Sequence, residues 1–255
     1  MTNPKPTLVL IHGAYHSPAT YDPILPLLHA AGYRTTTVTL PSIGSSPGHT
    51  DNLADVEAAR KVISAVVVEL GHEAVVISHS YGGVIASEAV QGLSKKERAA
   101  EGGSGGVIHM IYVSAILPEL GQNTTEALKD ITPEEEANQA VQITDMKPDG
   151  TTIVQNPIES YYHDVDPVEA KYYASLLKGH PYGTFTTPLS YDGYRHIPSA
   201  YLILDDDKAL PPPKQRRYVK NAGIEWVETI HSSHTPFVSQ PEAVVKFIRR
   251  VAGEV

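Results

Sequence analysis

An open α/β sheet of mostly parallel strands flanked by helices is predicted by three observations on this 255-residue chain. Apolar runs too short for helices recur and end in small or polar residues, the mark of strands buried on both faces. Most are followed by stretches with apolar residues at helical spacing, the alternation that crossover connections between parallel strands require. The third observation is one junction, Val75-Val76-Ile77-Ser78-His79-Ser80-Tyr81-Gly82-Gly83, where a β-rich run turns into a helix and carries Ser80 at the turn.

The first strand spans residues 7–11, Thr-Leu-Val-Leu-Ile, and stops at His12-Gly13. Ile24, Leu25, Leu27 and Leu28 then fall at helical spacing within 21–31, and Gly32 closes that helix. Residues 33–40 alternate and are rich in Thr and Val, a second strand. A Gly/Ser/Pro loop over 41–50 leads into a strongly periodic helix over 51–70, ended by Gly71. The strand at 74–78 delivers Ser80, and residues 84–90 form the helix after the turn. Residues 93–106, charged and then glycine-rich, read as a flexible surface excursion. A buried strand returns at 107–114.

Between Leu117 and Pro198 the pattern changes to polar helical stretches, notably around 126–141, and a tyrosine-rich segment with no clear strand of the main sheet. About 80 residues is too long for a plain loop. The expectation is a helical cap at 117–198 inserted into a core made of 1–116 and 199–255, with a possible small hairpin where Asp149-Gly150 precedes Thr152-Ile153-Val154. The cap tyrosines suit either a pocket lining or packing of cap on core. The sheet resumes at 201–204, a helix follows at 212–222, the last strand occupies 224–230, and an amphipathic helix at 240–251 closes the chain.

Twenty basic against 29 acidic residues give a net charge of −9, which argues against a nucleic-acid partner. The absence of cysteine excludes disulfides, thiolate metal sites and a cysteine nucleophile. No histidines fall at helical metal-ligand spacing with a carboxylate, so neither a metal nor a cofactor is expected. The N-terminal stretch lacks the basic start and apolar run of a signal peptide, and no apolar segment approaches the roughly 18 residues of a membrane span. A cytosolic protein without a membrane partner is the expectation. Its oligomeric state is not legible.

The chemistry comes from three strand ends. Ser80 follows the strand at 74–78, Asp205, Asp206 and Asp207 follow the strand at 201–204, and His234 follows the last strand. In an open parallel sheet these carboxyl ends share one edge. A serine hydroxyl becomes a useful nucleophile when an imidazole takes its proton, and that imidazole needs a carboxylate to hold its tautomer. The order Ser, Asp, His is the one used by folds with a nucleophile elbow, whose pattern is Gly-x-Ser-x-Gly. Gly82 keeps the second small position, and Ser78 stands where the first glycine would be. The oxyanion formed on addition needs donors aimed in advance. By position these are the backbone N–H groups of Tyr81 and Ala14.

Four segments together resemble the α/β-hydrolase superfamily, and within it the compact esterases related to plant methylesterases and hydroxynitrile lyases. They are Leu10-Ile11-His12-Gly13-Ala14, Ser78-His79-Ser80-Tyr81-Gly82-Gly83, Asp207-Lys208-Ala209-Leu210-Pro211, and His234 followed by Pro236-Phe237-Val238-Ser239-Gln240-Pro241. The resemblance extends over about 7–251. It implies the α/β-hydrolase fold, Ser80 as nucleophile, His234 as general base and Asp207 as orienting acid. Asp207 is preferred to Asp206 because the family's acid precedes a short segment ending in the proline matched by Pro211. His12, Gly13, Tyr15, His79, Tyr161 and Tyr162 are the candidate substrate-contacting residues, with loop organisation or packing the competing role for His12 and His79.

The activity so implied is cofactor-independent hydrolysis of a small, mainly apolar carboxylic ester or lactone through an acyl-enzyme on Ser80. Two alternatives stand beside it: a hydroxynitrile-lyase type of carbon–carbon cleavage, and a ligand-sensing receptor with little turnover. The lyases carry lysine after the histidine and threonine in the oxyanion loop, where this chain has Thr235 and Gly13. Both differences favour the esterase.

Overall fold

Strand β1 (Thr7–Ile11) is buried along its whole length, and its alternate residues feed two different cores. Val9 and Ile11 pack on one face of the sheet, Leu8 and Leu10 on the other. That is the period-2 consequence of a pleated strand covered by helices on both sides. The computed structural model describes residues 4–46, 48–129 and 144–254. Beside β1 lie β2 (Thr35–Val38), β3 (Glu73–His79) and β4 (Gly106–Val113).

Three further strands, β5 (Thr144–Met146), β6 (Thr151–Val154) and β7 (His180–Pro181), form a separate antiparallel sheet in the order β5-β6-β7. The main sheet then continues with β8 (Ser199–Leu204) and β9 (Trp226–Ile230), giving six strands in the order β2-β1-β3-β4-β8-β9, every pair parallel. Because all six run the same way, the residues after β3, β8 and β9 emerge at one edge. This is the α/β-hydrolase architecture.

Several elements differ from their sequence-based outlines. The helix expected over 21–31 is a 3-10 turn, Pro18–Tyr21, followed by a short α-helix, Leu25–Ala30. Pro23 and Pro26 remove backbone donors that a continuous helix would need. The helix expected over 51–70 is regular over Leu53–Ser64 and widens to a π-type turn over Ala65–Glu69. The glycine-rich excursion at 93–106 is ordered. Ser94 caps a helix, Lys95–Ala100, in a reciprocal capping box with Glu97. Gly105 then passes so close to the Val67 and His72 carbonyls that a Cβ would clash with both.

The region 117–198 contains helices, as expected, including Thr124–Lys129, Pro157–Tyr161 and Pro167–Ser175. It also contains the β5-β6-β7 sheet, which the sequence revealed only as the Asp149-Gly150 hairpin between β5 and β6. Of the polar stretch around 126–141, residues 130–141 lie outside the described residues. Among the described residues, no helix is long and apolar enough to cross a membrane.

Candidate active site

The turn after β3 is built by small residues pressed against backbone. Ser80 has φ of +53°, a left-handed conformation that costs a non-glycine residue on the order of 1–2 kcal/mol and persists only where its surroundings impose it. Those surroundings are visible. The Ser80 N–H donates to the Val113 carbonyl at 3.3 Å, and the Ser80 carbonyl accepts from the N–H groups of Gly83 and Ile116 at 3.0 Å each.

A Cβ on Gly82 would lie 2.6 Å from the Ile11 carbonyl oxygen and 2.7 Å from that of His12. One on Gly83 would lie 2.8 Å from both the Ala115 Cβ and the Ile116 oxygen. Ser78, in the place of the usual glycine, is fully buried and donates its hydroxyl to the Ile111 carbonyl at 3.3 Å, so its polar atom is satisfied by the neighbouring strand. Gly82→Ala is therefore expected to destabilise the fold by about 2–3 kcal/mol, since its new neighbours are backbone atoms that cannot swing aside. Urea denaturation of the variant checks this, and a stability unchanged within error would contradict the tight turn.

Asp207 and His234 follow β8 and β9. The His234 Nδ1–H donates to Asp207 Oδ2 at 2.6 Å, and both side chains are almost wholly buried. Asp207 also accepts from the Ser114 hydroxyl at 2.6 Å and from the backbone N–H groups of Ala209 and Leu210 at 2.8 Å each. These bonds fix the carboxylate, which fixes the imidazole with Nδ1 protonated and Nε2 on the opposite edge of the ring. The neighbouring aspartates have other partners: exposed Asp205 pairs with His231 at 2.8 Å, and Asp206 with His163 at 3.1 Å. Of the three, only Asp207 is buried against His234.

Ser80 and His234 line one cavity of about 50 Å3 together with Ala14, Tyr15, Tyr81, Ile116, Leu128, Tyr161, Phe185, Ala209 and Leu210. Tyr161 lays its ring 5.4 Å from that of His234, and the Tyr15 hydroxyl is hydrogen-bonded to the Thr152 hydroxyl at 3.0 Å. Ile116, Leu128 and Phe185 were not singled out in the sequence, and Ala209 and Leu210 only within the segment that begins at Asp207. Ala209 and Leu210 follow Asp207 directly, so the acid's own loop was the available signal. The others carry no local mark.

His12, Gly13, His79 and Tyr162 are not among the lining residues. They stand behind the cavity. The His12 ring accepts from the Leu40 N–H at Nε2 and donates from Nδ1 to the Gly13 carbonyl at 2.9 Å. In a trans peptide the C=O and N–H point in opposite directions, so anchoring the Gly13 carbonyl orients the Ala14 N–H away from His12. Gly13 itself packs so tightly that a Cβ would come within 2.8 Å of the Ser80 Cβ. His79 donates from Nε2 to the His234 carbonyl at 2.8 Å, and Tyr162 packs among His16, Tyr161 and Tyr173.

Burial lowers the His12 imidazole to about 4 and the His79 imidazole well below its usual range, so both are neutral at pH 7. Among the described residues no lysine, arginine, aspartate or glutamate lines the cavity. Among the described residues no three His, Asp or Glu side chains converge as a metal-binding group.

Comparison with known proteins agrees with this fold. A family model described as the alpha/beta hydrolase family matches residues 8–247. The chain is 36% identical over 254 residues to alpha/beta hydrolase nvfD of Aspergillus novofumigatus, covering 98% of each protein. It is 23% identical to Methylesterase 1 of Arabidopsis thaliana, covering 98% of this chain and 97% of that one. Among solved structures, polyneuridine aldehyde esterase superposes with a TM-score of 0.76 at 19% identity, covering 97% of this chain and 99% of that chain. A match spanning nearly the whole chain, at such identity, establishes that this protein belongs to the alpha/beta hydrolase family.

Proposed function

We propose that this enzyme is a serine esterase that cleaves a small, mainly apolar carboxylic ester or lactone through an acyl-enzyme on Ser80. The observation that carries the reading is the buried Asp207–His234 pair at 2.6 Å on the same cavity as a serine held at positive φ. Ser80 Oγ adds to the substrate carbonyl carbon while His234 Nε2 takes its proton. The carbonyl π pair moves to oxygen, where the Ala14 and Tyr81 N–H groups receive it. Collapse of this intermediate breaks the ester bond, and the departing alkoxide takes the proton back from His234. Water then repeats the sequence on the acyl-enzyme and restores Ser80. Asp207 holds the imidazole through Nδ1–H and stabilises the positive charge that it gains. An oxyanion donor of this kind contributes about 3–4 kcal/mol to the barrier reduction.

The substrate class follows from the lining. The described lining residues offer no cationic side chain, so among them a carboxylate-bearing substrate would be buried without a counter-charge, whereas a neutral ester is not penalised. Relatives named for methyl ester and methyl jasmonate hydrolysis support the same class. Residues 117–198 serve as the cap of a core formed by 1–116 and 199–255, supplying Leu128, Tyr161 and Phe185 to the cavity.

A fluorophosphonate probe tests the reading directly. Phosphorus takes the place of the carbonyl carbon, so a single covalent adduct on Ser80 is expected by intact mass and peptide mapping. Folded protein that stays unmodified would overturn it.

A further inference from the structure

Six consecutive residues of the region between β4 and β8 hold the loops on which Asp207 and His234 sit. The Asp164 Oδ2 accepts the backbone N–H of Ser233 at 2.9 Å. The Tyr161 carbonyl accepts the Ser233 hydroxyl at 2.8 Å. His163 bonds Asp206 Oδ2 at 3.1 Å, and Lys208 donates to Glu159 Oε1 at 2.5 Å. Asp206 and Lys208 flank Asp207, and Ser233 precedes His234. The same segment therefore grips the acid's loop from both sides and the base's loop from the residue before it. Tyr161, within it, also packs against the His234 ring.

Burial separates these contacts. The Lys208–Glu159 pair is exposed on both sides, with 37% and 53% of the side-chain surface accessible, so solvent and salt screen it. The bonds to Ser233 are different in kind. Its side chain is buried, and its N–H donates to an ionised carboxylate, a charge-assisted bond stronger than a neutral one. Desolvation raises the Asp164 carboxyl, but hydrogen bonds from Ser233 and Ser239, with His163 nearby, together outweigh it and leave the group below its usual range.

We infer that residues 159–164 are a clamp that sets the Asp207–His234 geometry, with Asp164 as a positioning residue acting through Ser233. It rests on the proposed esterase reading, which it deepens. The segment belongs to the same region that supplies Tyr161 to the cavity, so access to the cavity and alignment of the base are mechanically linked. A displacement of this segment that widens the cavity also releases the Ser233 N–H. Loss of alignment then appears in the chemical step rather than in substrate binding, because Asp164 is not among the cavity-lining residues.

Asp164→Ala removes the acceptor, whereas Asp164→Asn keeps an oxygen that can take the Ser233 N–H. With p-nitrophenyl acetate, D164A is expected to lose about tenfold in kcat with KM within about twofold, and D164N to recover most of the loss. Labelling of Ser80 by a small fluorophosphonate should slow by the same factor in D164A. A readout independent of turnover is the downfield proton resonance of His234 Nδ1–H, expected to be sharp in the native protein and D164N and broadened by solvent exchange in D164A.

Ser233→Ala, which deletes the hydroxyl's bonds to Tyr161 and Asp164 but keeps the backbone N–H that Asp164 accepts, should shift these readouts in the same direction to a smaller extent. An unchanged resonance in D164A, or a loss expressed in KM alone, overturns the clamp. Failure of the native protein to label at Ser80 would instead overturn the esterase reading, and the resonance would still decide the clamp.

Discussion

Ser80→Ala is expected to lower kcat for ester hydrolysis by a factor of about 10,000 to 1,000,000 while leaving KM nearly unchanged. On the proposed mechanism the deleted atom forms the acyl bond, so no neighbouring group substitutes for it. KM stays close because the Oγ adds little to ground-state binding beside the aromatic and aliphatic lining. The residual rate would come from the oxyanion donors and from orientation, both of which survive the change. The fold survives as well, since alanine occupies less space than serine and the backbone bonds that impose the positive φ are made by Val113, Gly83 and Ile116. Steady-state kinetics with p-nitrophenyl acetate, alongside a thermal melt, decide the matter. More than a tenth of the native activity in a cleanly folded variant would sink the nucleophile assignment.

The parallel sheet was legible in the sequence because strands buried on both faces leave runs of apolar residues with no polar alternation, as at Leu8 to Ile11 and Val75 to Ile77. Once the strands are parallel, the positions of Ser80, Asp207 and His234 at one edge follow from topology. The aspartate run was ranked only by resemblance, through the segment ending at Pro211, and not by the chemistry of its residues. Asp205, Asp206 and Asp207 are chemically identical, and each has a histidine partner in the fold. Ser114, from the end of β4, gives Asp207 its buried environment, and that contact spans 93 positions.

Residues 93–106 were misread for a different reason. Their glycines suggested mobility, whereas Gly105 is small because backbone passes close by, and the Ser94/Glu97 capping box was a legible helix start. Of the β5-β6-β7 sheet only the β5–β6 hairpin was legible, because its strands are two to four residues long, too short for a period to show.

Stability is expected to fall steeply with acid, chiefly through four buried histidines. His12, His16, His79 and His180 are at most 3% exposed. Burial holds His12 at about 4, His16 and His180 at about 3, and His79 well below its ordinary value of 6.5. In the unfolded chain each takes up a proton as the pH falls through 6.5. In the folded protein it does not, so the unfolded state binds more protons and is favoured. The stabilisation is complete above pH 6.5 and is lost progressively toward pH 4.

Each histidine contributes a slope of about 1.4 kcal/mol per pH unit in that window. Asp55 opposes the trend: burial raises it, so the folded state gains that proton first. His231, raised by donating a hydrogen bond to Asp205, is protonated in both states below 6.5 and adds no slope there. The net slope is on the order of 4 kcal/mol per pH unit, against a total stability of about 5–15 kcal/mol for a domain. Cooperative unfolding between about pH 5.5 and 4 follows.

Urea titrations at half-unit pH steps measure the slope. His180→Gln removes one titrating ring while leaving an amide able to reach Thr184, so its slope should be shallower by about 1.4 kcal/mol per pH unit. A stability that stays level from pH 6.5 to 4.5 in the native protein would mean that these imidazoles are protonated, or solvated, in the fold.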